Sequence, residues 1–204
     1  TGSAATVGHG LGVAPKMFIV KSRSVATGWP VYHASDNASP ATGYMSLQTT
    51  DAFFSSTAFN NTAPTSSVFS VGGAGVSTNN SGATYVAYCW AEVAGFSKFG
   101  SYTGNGSADG PFVYCGFRPK FVMVKSSSAV ASWFMLDTAR NTYNAVGNYL
   151  LADSSGAESA YNPYYDFLSN GFKLRDNGSG INASGGTYIY MAFAENPFKN
   201  ALAR

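Results

Sequence analysis

Along two stretches of the chain, bulky and small residues alternate at period two. Val86, Tyr88 and Trp90 alternate with Ala87, Cys89 and Ala91, and Ile189, Met191 and Phe193 alternate with Tyr190, Ala192 and Ala194. Successive side chains of a β-strand leave opposite faces, so this period predicts strands with the bulky set on one face and the smaller set mostly on the other. Neither face reads as wet. Both strands are therefore expected in the middle of a β-sandwich, one face in the core and the other covered by a second sheet, a loop or a subunit. Further strands are predicted at 16–21, 29–33, 44–48 and 68–71, closed by 84–92. A second series follows at 120–125, 133–137, 148–151 and 172–175, closed by 187–195. Loops rich in Gly, Ser, Thr and Asn separate them, the spacing of a sandwich or jelly roll.

The two series are one series written twice. Gly12-Val13-Ala14-Pro15-Lys16-Met17-Phe18-Ile19-Val20-Lys21-Ser22 aligns without a gap on Gly116-Phe117-Arg118-Pro119-Lys120-Phe121-Val122-Met123-Val124-Lys125-Ser126, and Trp29 meets Trp133 in the same register. Phe69-Ser70-Val71 matches Phe172-Lys173-Leu174, and 79–92 matches 182–195, including Thr84-Tyr85 with Thr187-Tyr188 and Ala91-Glu92 with Ala194-Glu195. Self-similarity of this length points to tandem structural units. The expected architecture is all-β, two tandem pseudo-repeats of lectin-like or jelly-roll β-sandwich type. The boundary falls in the Gly-, Ser- and Asn-rich stretch 100–111, giving domains 1–104 and 105–204.

Composition sharpens this picture. Charged residues make up 11% of the 204 and the apolar fraction is 45%, enough for a packed core without staples. Gly, Tyr, Phe and the hydroxyl residues dominate, the usage of turn-rich β-structure. The net charge is +2 and the Lys and Arg residues are scattered, whereas phosphate-backbone binding needs a concentrated basic stripe; nucleic acid is not expected as a partner. No long apolar run predicts membrane insertion, and no positively charged leader is present. The chain opens on Thr1 rather than Met, which reads as a piece of a longer polypeptide, so the missing leader carries no information. Cys89 and Cys115 sit in apolar runs and read as buried free thiols, with a disulfide between them left open. The Asn-x-Ser/Thr sites are read as loop markers.

Catalytic signatures are thin. His9 and His33 have no nucleophile elbow beside them and no metal-ligand spacing to each other or to the cysteines. Gly72-Gly73-Ala74-Gly75 lacks the Lys-Ser/Thr continuation of a phosphate loop and reads as a turn. Glu92 and Glu195 occupy equivalent strand ends, and a carboxylate used twice in one place is more simply structural than half of a glycosidase pair. Asp137, Asp153, Glu158 and Asp166 cluster in the second copy alone, as loop turns or as a calcium site. No enzyme is expected. No cofactor is expected either, with calcium left open.

The stretch from Gly95-Phe96-Ser97-Lys98-Phe99-Gly100-Ser101-Tyr102-Thr103-Gly104-Asn105-Gly106 through Asp109-Gly110-Pro111-Phe112-Val113-Tyr114 into Gly116-Phe117-Arg118-Pro119 resembles a domain of tail fibres and other structural proteins of tailed bacteriophages. So do the closing Met191-Ala192-Phe193-Ala194-Glu195-Asn196-Pro197-Phe198, the opening from His9-Gly10-Leu11-Gly12 to Lys21, and Ser169-Asn170-Gly171-Phe172-Lys173-Leu174. The resemblance implies a module on the virion surface, a lectin-like sandwich acting in host attachment by binding a bacterial surface glycan or other receptor. The alternative it implies is a decoration or assembly domain held by other virion proteins. Fibres of this kind imply a homo-oligomer, commonly a trimer. The resemblance supplies no catalytic or ligand-binding residues.

Candidates for glycan contact therefore rest on chemistry alone: aromatic faces that stack on sugar rings, with amides and carboxylates nearby. Tyr161, Tyr164, Tyr165 and Asp166 form the richest cluster, and Trp29, Tyr32 and His33 the second. For Trp29 and Trp133 the recurrence at equivalent positions favours core anchors over ligand contacts.

Overall fold

The computed structural model describes residues 1–73 and 75–196, with the backbone alone at 161–163. Strands carry nearly all the regular structure, and the chain divides into two compact units, Thr1–Ala91 and Glu92–Arg204. Among the described residues no helix is long and apolar enough to cross a membrane.

In the first unit the strands are β1 (Ala5–Gly8), β2 (Met17–Ser22), β3 (Pro30–His33), β4 (Gly43–Ser46), β5 (Phe54–Ser55), β6 (Val68–Val71) and β7 (Tyr85–Trp90). A five-stranded antiparallel sheet runs β5-β4-β3-β2-β7, and β1 pairs with β6 as a separate ribbon. Aromatic side chains join the two layers. The Phe18 ring lies 4.7 Å from Tyr32 on the neighbouring strand, 4.7 Å from Phe69 on the ribbon and 4.8 Å from Phe59 in the loop before it. Burying each such ring contributes roughly 1.5–3 kcal/mol, and this shared core is what holds the ribbon on the sheet.

The second unit contains β8 (Ser97–Thr103), β9 (Phe112–Tyr114), β10 (Pro119–Ser126), β11 (Phe134–Asp137), β12 (Val146–Leu151), β13 (Ser159–Leu168), β14 (Gly171–Leu174) and β15 (Thr187–Ala194), with one short turn of helix, α1 (Ser179–Asn182). They form one eight-stranded antiparallel sheet in the order β8-β15-β10-β11-β12-β13-β14-β9. The sheet closes over its own core: Tyr102 on β8 reaches Phe172 on β14, with ring centroids 6.2 Å apart, and Tyr188 stacks on Tyr102 at 5.1 Å. Gly171 permits the close approach of β9 to β14, since a Cβ there would lie 2.1 Å from the Val113 carbonyl oxygen.

Pairing order and local bonds recur between the units. β7-β2-β3-β4 in the first corresponds to β15-β10-β11-β12 in the second, with Lys21 opposite Val86 and Lys125 opposite Ile189. Arg23 N–H donates to the Thr84 carbonyl at 2.8 Å and Ser127 N–H to the Thr187 carbonyl at 3.0 Å. The Thr84 and Thr187 amides each donate 2.9 Å to a serine hydroxyl, of Ser24 and Ser128.

Two features differ from the pattern read along the chain. The units divide at Ala91/Glu92, ahead of 100–111, because Ser97–Thr103 is a strand that pairs along its whole length with β15. The alternating strand β7, expected in a sheet interior, is the last strand of its sheet, whereas its counterpart β15 lies between β8 and β10. Alternation reports which faces are apolar and says nothing of how many neighbours a strand has.

Candidate functional site

The candidate aromatic residues are dispersed by the fold. Tyr32 is buried in the first core, stacked on Phe18, and His33 is buried beside it with Nδ1 accepting the Ser35 amide at 3.2 Å. Tyr165 is fully enclosed in the second core, where burial holds its phenol far above the ordinary range. These side chains cannot reach a surface ligand; their strands turn them inward, and aromatic residues on a sheet's core face supply most of its buried area. Tyr161 lies on β13, and its side chain is outside the described residues. Trp29 is half-buried in the β2–β3 connection with the Lys21 ammonium 5.4 Å over its ring, while Trp133 at the matching position is buried. Each donates its backbone N–H at 2.7 Å, to the side chains of Gln48 and Asp153 respectively.

Tyr164 keeps partial access. Its ring centroid lies 5.3 Å from Tyr149 and 5.9 Å from Phe134, and those two are 5.3 Å apart, so β11, β12 and β13 present a half-buried aromatic triad at the rim of the second core. Asp166 is ion-paired with Arg175, which also approaches Asp109.

The other acids do not converge. Asp137 and Glu158 share Arg140, and Asp153 accepts the Trp133 amide. Among the described residues no group of His, Cys, Asp or Glu side chains is placed to hold a metal ion. Glu92 pairs with Lys98 at 2.7 Å and Glu195 with Arg118 at 3.3 Å, both partly exposed. The stretch 72–75, read from the sequence as a turn, includes residue 74, which lies outside the described residues.

A further surface feature lies along the outer edge of β7. A cleft of about 420 Å³ runs there, lined by Gly8, His9 and Phe69 on one side and Ala87, Tyr88, Cys89 and Trp90 on the other. Tyr88 is 46% exposed and stacks on Trp90, with centroids 6.3 Å apart and ring planes inclined at 21°. Because Arg23 N–H bonds to the Thr84 carbonyl, the backbone groups of Val86, Tyr88 and Trp90 turn toward β2, while those of Tyr85, Ala87 and Cys89 turn outward. Among the described residues no strand pairs with that outward edge. His9 is held by both ring nitrogens: Nδ1 accepts the Leu11 amide at 3.2 Å, which leaves Nε2 to donate to the Thr65 carbonyl at 3.1 Å. Burial raises the Cys89 thiol above its ordinary range, away from the reactive thiolate. Cys115 is a second free thiol, buried in the other unit and pushed up to about 12 by its surroundings. The cleft thus offers aromatic faces and outward-facing backbone groups, which favour stacking and strand pairing over proton transfer. Sequence reasoning registered the alternation of Tyr88 and Trp90 and assigned it to a covered strand, so the exposure went unseen.

The family described as a domain of unknown function, DUF7483, matches residues 1–197. No curated protein and no solved structure matches the chain.

Proposed function

The chain belongs to the DUF7483 family, and from that premise and the geometry above we propose that it is a non-catalytic interaction module of a tailed-phage virion, a surface domain of tail-fibre or decoration type that docks a partner polypeptide along the β7 edge. The carrying observation is the stacked pair of exposed Tyr88 and half-buried Trp90 beside a 420 Å³ cleft, on a strand whose outer edge no strand pairs with among the described residues. Long apolar edge strands template association with another chain, and natural proteins leave them open chiefly where something covers them. The resemblance of the Gly95–Pro119 stretch to phage virion domains supplies the setting, a particle surface where such modules meet their neighbours. Replacing Tyr88 by the photo-crosslinker benzoylphenylalanine in the assembled parent particle tests this. A cross-link to a defined virion polypeptide is expected, and particles that assemble with the label yet yield no cross-link would remove the docking role.

A second reading, recognition of a host-surface glycan, is favoured by the half-buried triad of Phe134, Tyr149 and Tyr164, an aromatic platform of the sort that stacks on sugar rings. It predicts binding on an array of bacterial surface glycans that Tyr164→Ala abolishes, and a blank array removes it.

A further inference from the structure

We propose that the β7 edge is an acceptor site for one kind of partner: an extended strand with the chemistry of Ser97–Thr103, supplied by another unit of the same kind and laid antiparallel to β7. This rests on the docking reading above and adds the partner's chemistry, register and direction. In the second unit, β8 occupies the matching edge. It pairs with β15 from Ser97 opposite Phe193 through Gly100 opposite Tyr190 to Thr103 opposite Thr187. Position by position, β15 corresponds to β7: Tyr188 to Tyr85, Tyr190 to Ala87, Ala192 to Cys89 and Phe193 to Trp90, as their pairings with β10 and β2 require.

The first unit carries counterparts of the ring contacts that Tyr102 and Phe99 of β8 make. Tyr102 of β8 inserts between Tyr188 and Phe172, and its hydroxyl donates 2.8 Å to the Ile181 carbonyl. The equivalents of those residues, Tyr85, Phe69 and Thr78, line a cavity of about 140 Å³ together with Val20, Val71 and Ala87. A donor tyrosine opposite Tyr85 would enter that cavity. Phe99 of β8 sits 6.2 Å from Phe193, so a donor phenylalanine would lie over the stacked pair of exposed Tyr88 and half-buried Trp90. Gly100 lies beneath the Tyr190 ring, where an added Cβ would meet the phenol oxygen at 2.8 Å; Ala87 stands in that ring's place, so the acceptor is roomier at its centre.

The match extends past the strand. Asn105 N–H donates 2.9 Å to the Asn182 side-chain oxygen and Gly106 N–H donates 2.9 Å to its carbonyl; the Thr1 nitrogen donates 2.8 Å to the Asn79 side-chain oxygen and Gly2 N–H donates 3.0 Å to its carbonyl. A strand in the β8 position would therefore end beside Thr1. Its main-chain bonds would go to the outward groups of Tyr85, Ala87 and Cys89, with affinity from the ladder and specificity from the tyrosine pocket, the division of labour in strand addition.

The test uses the whole chain and a synthetic peptide of residues 96–104, capped at both ends, followed by titration calorimetry. Saturable one-to-one binding is expected. The same peptide carrying Tyr102→Ala should bind roughly tenfold more weakly or worse, because it loses the ring contacts and the hydroxyl bond. Ala87→Pro in the protein removes an outward N–H without touching the β2 ladder, a position where proline is tolerated, and should abolish binding with the circular dichroism of the fold retained. No saturable binding of the parent peptide, or equal binding of the Tyr102→Ala peptide, overturns the proposal whatever becomes of the proline variant. A chain that sediments as a dimer undisturbed by the peptide but dissociated by Ala87→Pro would make a second β7 edge the occupant, which also overturns it. A virion cross-link at Tyr88 without peptide binding would leave docking standing and this strand chemistry refuted, whereas peptide binding without a cross-link would do the reverse.

Discussion

Replacing Asn182 by alanine should destabilise the second unit by several kcal/mol. The amide is completely buried, on α1, at the meeting point of three segments. Its Nδ2 donates 2.8 Å to the Asp176 carbonyl, 2.8 Å to the Ser107 carbonyl and 3.1 Å to the Asn105 side chain, while its Oδ1 accepts the Asn105 amide at 2.9 Å. A net hydrogen bond contributes about 1 kcal/mol, and a partner left buried without one is penalised further; the Asn105 and Ser107 groups can rehydrate but the Asp176 carbonyl cannot, so the loss should total about 3 kcal/mol. For a unit of roughly 100 residues each kcal/mol moves the melting temperature by about 4 °C or more, giving a fall on the order of 12 °C. Thermal unfolding followed by circular dichroism reads the shift, and hydrogen exchange should show protection lost first around 105–110 and 176–183. A shift under about 2 °C would refute the reasoning, since it would mean the segments hold together without their shared amide. Asn79 makes the corresponding bonds in the first unit, to Thr1, Ser3 and Gly72, and because Thr1 and Ser3 are exposed, so that their groups can rehydrate, Asn79→Ala should be the milder change.

Three further outcomes are expected. The buried Tyr102 hydroxyl donates to the Ile181 carbonyl at 2.8 Å, so chemical denaturation should find Tyr102→Phe destabilising by about 1 kcal/mol; an unchanged stability would count against this placement. Burial holds Tyr102, Tyr165 and Tyr190 protonated above the ordinary phenol range, whereas the unfolded chain ionises near about pH 10, so the unfolded state binds fewer protons beyond that point and the second unit's melting temperature should hold through neutral pH and fall as pH rises past about 10. A maleimide should label Cys89, half-buried at the cleft, before Cys115, which should react only on unfolding; equal rates in the native protein would contradict the buried placement of Cys115.

Much of the fold was legible because strand formation is a local matter. The alternation in 84–92 and 187–195 and the apolar runs at 16–21 and 120–125 each became strands, and all-β class followed from them. The short or interrupted strands escaped: β5 has two residues, β1 four, and β13 contains Pro163. β8, written Ser-Lys-Phe-Gly-Ser-Tyr-Thr, looks like linker until Tyr102 is seen inserted into the second core. The candidate site was less legible. Composition marked the tyrosines of 161–165 as a recognition patch, but which of two adjacent rings faces out depends on the register of β13 against β14, which places Tyr165 opposite Leu174 in the core and leaves Tyr164 at its rim.

By itself, then, the sequence determined that the chain is built of strands and where the longest of them fall, because these follow from side-chain period and residue identity. Only the tertiary structure decided which strand ends a sheet. β7 and β15 have the same alternation and opposite fates, since an edge is defined by the neighbour a strand lacks, and β8 is present beside one of them alone. Long-range pairing, which no local window contains, thereby turned one of two similar strands into a buried element and the other into an exposed aromatic edge.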